Sequence, residues 1–168
     1  MTMLLNRRLI LLGSGPLVLA ACSTEPTRGP RPSFYQDLSL PGTSVDVPKA
    51  ADMISGYRLN NGRGPLTVNP RLIEVAAAHA QSMASADQVS SGDGVMARLG
   101  RAGIKPARAV DNVSAGYLTL AEAFSGWRDS PPHKANMLDP AVTQLGLAIA
   151  TRPGSKYRVF WCLILTNG

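Results

Sequence analysis

The chain has 168 residues, with 17 Lys or Arg against 11 Asp or Glu, a length that suits one ordinary domain. The positive excess is mild and spread along the sequence. It lacks the dense basic stripe with interleaved aromatics of a nucleic-acid binder, so no nucleic-acid partner is expected.

The N-terminus reads as an export signal. Asn6-Arg7-Arg8 gives a positive start, and Leu9 to Ala21 is apolar but broken by Gly13, Gly15 and Pro16. As a helix this run rises only about 20 Å, short of the ~30 Å hydrocarbon core, so it is a signal segment rather than a membrane span. It closes with Leu19-Ala20-Ala21-Cys22, which resembles the lipobox of bacterial lipoproteins. Residues 1–21 are therefore expected to be removed and Cys22 to carry the lipid, making the membrane a partner through the N-terminal lipid. Loss of Arg7 and Arg8 takes the 17 basic residues to 15, and 15 minus 11 leaves a mature charge of +4. Asn6-Arg7-Arg8-Leu9-Ile10-Leu11 also resembles a twin-arginine signal, so the Sec and twin-arginine routes both stay open. Ser23 after the cysteine implies, in a Gram-negative cell, the outer membrane facing the periplasm.

Acylation of Cys22 leaves Cys162 without a partner, so an exported domain has no internal disulfide and is held by its core. Cys162 lies in the apolar run Val159 to Leu165 and reads as a small buried hydrophobe.

Residues 22–48 form a lipidated cysteine and a flexible tether rich in Pro and Gly, with a reach of roughly 25 to 30 Å as a coil. Phe34, Tyr35, Leu38 and Leu40 offer its second half a way to pack back on the domain. The domain itself is placed at 49–168. A first helix is expected over Lys49–Asn61, ended by Gly62. The next has Asn69 as N-cap and Pro70 in its first turn, and runs to about Ala86 with Leu72, Ala76, His79 and Met83 on one face. His79 there reads as a hydrogen-bonded core histidine. Val95, Met96 and Leu99 suggest a short third helix. Thr119 to Glu122 is a capping box for a helix turning Leu120, Ala123, Phe124 and Trp127 inward, stopped by Pro131 and Pro132. Gln144–Thr151 and Tyr157–Leu165 alternate as strands joined at Pro153-Gly154. Both are apolar on both faces, so helices must cover both sides. The expected fold is α/β, a three-layer α/β/α sandwich with a mostly antiparallel central sheet.

Several motifs then fall in order: Arg58, Gly64-Pro65-Leu66, Asn69-Pro70-Arg71-Leu72, His79 with Met83, Asp111-Asn112-Val113, Trp127, Ser130-Pro131-Pro132-His133-Lys134-Ala135-Asn136-Met137-Leu138, and Gly146. Together they resemble a bacterial CAP (SCP-like) domain, the superfamily of cysteine-rich secretory proteins, antigen 5 and pathogenesis-related class 1 proteins. The resemblance spans about residues 50 to 166. It implies an α/β/α sandwich and a cavity with the chain-order pattern His-Glu-Glu-His.

That pattern is incomplete here. The resemblance places the final histidine at His133 and the first acid at Asp111. The first histidine falls near Ser91 and the second acid at Ser130. Too few ligands remain for a metal that takes three, so no cofactor is expected. A cavity lined by Ser91, Asp111, Ser130 and His133 is expected to bind a lipid, peptide or wall-derived ligand. The alternative is a serine-type hydrolase in which Ser91, Asp111 and His133 form a triad, although no nucleophile elbow surrounds Ser91.

Overall fold

The computed structural model describes residues 32–168. The export segment and Cys22 lie outside the described residues. After a 3-10 turn at Ser33–Tyr35, the elements run α1 (Val47–Asn60), β1 (Thr67–Val68), α2 (Pro70–Ala86), α3 (Val95–Arg101), β2 (Ala109–Ala115), α4 (Leu120–Asp129), α5 (Pro131–Met137), β3 (Gln144–Thr151) and β4 (Val159–Thr166).

Helix starts follow local chemistry. Asp46 accepts from the Lys49 amide at 3.0 Å, so α1 begins at Val47, two residues before the expected start, with Pro48 inside its first turn. Asn69 caps α2 through the Arg71 amide at 3.0 Å. The Thr119–Glu122 capping box opens α4 as expected. Pro131 and Pro132 were expected only to stop that helix, but they also open α5. Proline suits the first helical turn, where its missing N–H would have no partner and its φ is already set.

The four strands form one sheet in the order β1-β3-β4-β2. β3 pairs antiparallel with β4 from Gln144↔Thr166 to Thr151↔Val159, and β2 pairs antiparallel with β4 on its other side. β1 runs parallel to β3, with Thr67 opposite Gln144, so the sheet is mixed rather than mostly antiparallel. The reason is connectivity. A tight turn forces β3 and β4 to oppose, whereas β1 leads into α2 and reaches β3 only after a long excursion.

β4 is buried along its whole length, and alternate residues enter separate cores. Trp161, Leu163 and Leu165 pack with residues of α1 and α4, whereas Phe160, Cys162 and Ile164 pack with residues of α2 and α3. Trp127 stands edge-to-face on Trp161 at 6.0 Å, and its indole N–H donates to Ser114 Oγ at 3.1 Å. Cys162 is fully buried, and burial pushes its thiol up to about 12. In the segment before α1, Leu38 is buried and its amide bonds Leu118 O at 2.8 Å, while Tyr35 and Leu40 stay exposed.

Two contacts fix the frame. A Cβ on Gly146 would lie 2.3 Å from the Leu72 carbonyl carbon and 2.5 Å from the Ile73 amide nitrogen, so α2 rests on β3 backbone to backbone. Arg58 is buried, and its guanidinium donates to the carbonyls of Gly64, Met137, Asp139 and Val142 at 2.7, 2.7, 2.9 and 3.0 Å. It thereby ties the end of α1 to the loop between α5 and β3.

Gly146→Ala must push α2 off the sheet, so thermal melting should show a loss of about 1–3 kcal/mol, or roughly 5–10 °C. Arg58→Met leaves buried carbonyls without donors. Denaturant titration should record a loss of about 3 kcal/mol or more. An unchanged midpoint in either variant would contradict these roles.

Candidate functional site

The site residues lie where β2, α3 and α5 converge. β2 carries Asp111 and Asn112, and α5 is pinned to it by side-chain amides. Asn136 Nδ2 donates to Asp111 O at 2.8 Å and to Asn112 Oδ1 at 3.0 Å, and Asn112 Nδ2 donates to His133 O at 3.1 Å. The Asp-Asn pair and the Asn of the proline-led motif thus hold the helix bearing His133 against the sheet.

Asp111 does not hydrogen-bond a histidine. Its carboxylate is gripped by Arg98 from α3, with side-chain exposures of 14% and 6%. A charge pair so far from water holds its geometry because loss of either partner strands the other. Arg98 also donates to the carbonyl of Ser91, while its Nε is buried and has no hydrogen-bond partner among the described residues. The sequence reading missed this residue. The one local signal was weak: Arg98 lies three positions after the apolar Val95, on the same face of α3.

Ser91 lies in the exposed turn before α3, where Gly92 and Gly94 both have positive φ. Its carbonyl is held by Arg98. No hydrogen bond joins its hydroxyl to Asp111 or His133 among the described residues. Ser130 is the half-buried residue between α4 and α5, and its side chain caps neither the α5 amides nor another group among the described residues.

His133 is half-buried. Burial lowers its pKa from the ordinary histidine value, and the nearby Asp111 charge opposes this. The structure therefore brings Asp111 and His133 into electrostatic reach, with Arg98 taking the carboxylate.

His79 is the buried, hydrogen-bonded histidine expected from its helix face. Its Nε2 lies 2.8 Å from Ser90 O, and because a carbonyl only accepts, that nitrogen carries the proton. Burial and then the Arg98 charge lower its pKa, against the Ser90 bond and the charges of Asp111 and Asp93. The ring is neutral at neutral pH.

The implied metal does not fit these residues. A cation at Asp111 would have to displace a guanidinium, and two of the four pattern positions are serines. Among the described residues, no group of three or more His, Cys, Asp or Glu is placed to hold a metal ion. No helix there is long and apolar enough to cross a membrane. A cavity of about 450 Å³ opens on the α2–α3 side of Arg98, with His79 and Arg98 both in its wall.

Comparison with known proteins bears on the family and the fold. The model of the CAP family, the cysteine-rich secretory protein family, matches residues 51–165. A search of curated protein sequences gives no match. Among solved structures, an extracellular Bacillus anthracis protein containing an SCP domain is 20% identical with a TM-score of 0.63, covering 72% of this chain and 40% of its own. An outer surface protein of Borrelia burgdorferi is 15% identical with a TM-score of 0.65, covering 75% of this chain and 98% of its own. A Staphylococcus aureus cysteine-rich secretory protein is 16% identical with a TM-score of 0.59, covering 71% of this chain and 37% of its own. This chain thus spans well under half of the Bacillus and Staphylococcus chains, and at these identities the likeness is one of fold. With the family model matching well over half of its length, the chain belongs to the cysteine-rich secretory protein (CAP) family.

Proposed function

We propose that this protein is an exported CAP-domain module, tethered at the cell envelope by a lipid on Cys22, that binds or scaffolds a ligand without turning it over. The observation that carries the reading is the Arg98–Asp111 pair. Arg98 holds Asp111 Oδ2, and no hydrogen bond runs from this carboxylate to His133 among the described residues, so the acid does not orient the histidine as a general base. In this proposal the domain takes no metal, and Ser91, Asp111, Ser130 and His133 form part of the recognition surface. A lipid, a peptide or a wall-derived molecule is the ligand.

The three-layer arrangement belongs to the same proposal. Its support is the split of the core, with residues of α1 and α4 in one cluster and those of α2 and α3 in the other. Export is supported by the signal-like segment and by solved structures described as extracellular or outer surface proteins. In a Gram-negative cell the module sits on the outer membrane facing the periplasm.

Ligand binding is tested by native mass spectrometry of the purified chain after exposure to an envelope extract. A bound small molecule is expected, and an unchanged mass rejects the proposal. The rival hydrolase is tested with a fluorophosphonate probe. No labelling is expected, whereas labelling abolished by Ser91→Ala establishes the serine enzyme. For the anchor, Cys22→Ser should release the protein into the soluble periplasmic or extracellular fraction. Full membrane retention of that variant counts against the lipid.

A further inference from the structure

The cavity of about 450 Å³ between α2 and α3 is distinct from the Asp111–His133 junction, and Arg98 forms the wall between them. Its volume equals about fifteen waters at ~30 Å³ each. It lies at the lower end of the usual range for ligand pockets. Three arginines line it, against a single acid, Glu74.

Two of these arginines retain bonding capacity. Arg71 spends one N–H on the Ala102 carbonyl, at 2.8 Å, and that bond leaves its charge unneutralised. Arg101 pairs with Asp93, but both side chains are more than half exposed, so water competes with the pair and a ligand can redirect it. Arg98 does not share this capacity, since it is committed to Asp111 and the Ser91 carbonyl and its Nε is buried out of a ligand's reach. His79 has its Nε2 proton committed to the Ser90 carbonyl.

The rest of the lining sets the ligand's body. Ala78 and Ala102 present methyl-sized walls, and Glu74 and Ser82 can accept N–H groups. A long acyl chain would leave those polar groups and the arginines facing hydrocarbon. A short, polar ligand with one carboxylate satisfies both sets. We propose that this cavity receives the C-terminal carboxylate of a peptide ending in alanine-sized residues. The carboxylate sits on Arg71 and Arg101, and the last amide faces Glu74 and Ser82. This assignment rests on the binding-module reading above and gives the module a second site with its own ligand class, beside the Asp111–His133 surface. Two sources share the chemistry, a wall stem peptide and the end of a polypeptide.

The test is isothermal titration of the chain carrying Cys22→Ser with acetyl-Ala-Ala of either hand, each as free acid and as C-terminal amide. At least one free acid should bind, its amide at least tenfold more weakly. Arg71→Gln and Arg101→Gln, both at exposed side chains and so compatible with the fold, should each weaken the acid by about tenfold. The His79 ring resonances should shift on binding, which locates the ligand. Binding of the D form alone identifies the wall stem as source, and of the L form alone a polypeptide end. Equal affinity for acid and amide, or variants that bind as the parent does, overturn the assignment. So does decanoate binding while both dipeptides are ignored, which makes this a lipid site. A chain that takes up a ligand from envelope extract but no dipeptide loses this assignment and keeps the module reading. A chain that binds neither loses both.

Discussion

The organising constraint of this fold is a strand that cannot face water on either side. β4 is buried at every position, and six of its side chains are large and apolar, each contributing about 1.5–3 kcal/mol when buried. A strand of this kind is stable only if covered on both faces and paired on both edges. The rest of the chain meets that demand. β3 and β2 take its edges, α1 and α4 bury the face of Trp161, and α2 and α3 bury the face of Phe160. Gly146 belongs to the same requirement, since the second cover can lie close only where β3 has no side chain.

Two buried guanidiniums then do what no disulfide does among the described residues. Arg58 gathers four carbonyls from the loops around α5, and Arg98 joins the turn before α3 to β2. A planar cation with five donors suits both tasks, because loop carbonyls converge without a regular ladder to satisfy them. The difference lies in the partner. Arg58 binds neutral carbonyls and is structural, whereas Arg98 binds a carboxylate and sits between that acid and a cavity. The first fixes where α5 ends, and the second decides what the residues around it can do.

Much of this was legible in the sequence because the strongest signals are local. The Asn69 cap, the Thr119–Glu122 box and the two-sided apolar alternation of Gln144–Thr151 each depend on a few neighbouring residues. What escaped depends on partners far away. β2 lacks strict alternation, because Asp111 turns to Arg98 and Asn112 to α5, and only its pairing with β4 makes it a strand. β1 is two residues long and its parallel direction is set by Gln144 and Leu145, some seventy-five positions on. Pro131 and Pro132 signal a stop and a start equally, and Ser130 before them does not cap the new helix with its side chain. Arg98 was hidden for another reason. Arginine on a short helix is ordinarily a solvated residue, and only its place beside Asp111 makes it a buried one.

Arg98 also explains why the departures from the family pattern belong together. A cluster of two histidines and two acids is rich in negative charge and lone pairs, and favours a cation. Here the histidine position near residue 91 and the second acid position are serines, so one acid remains, and leaving it buried without a cation would be costly. Arginine supplies that cation permanently, because its guanidinium does not deprotonate at any physiological pH. Histidine in the same place would release its charge near neutral pH, and burial would hasten the release, as it does for His79 and His133. Arginine thus makes the positive charge beside Asp111 a fixed one. With Arg71 and Arg101 it also gives the adjoining cavity a wall of three guanidiniums, which is no place for a metal ion.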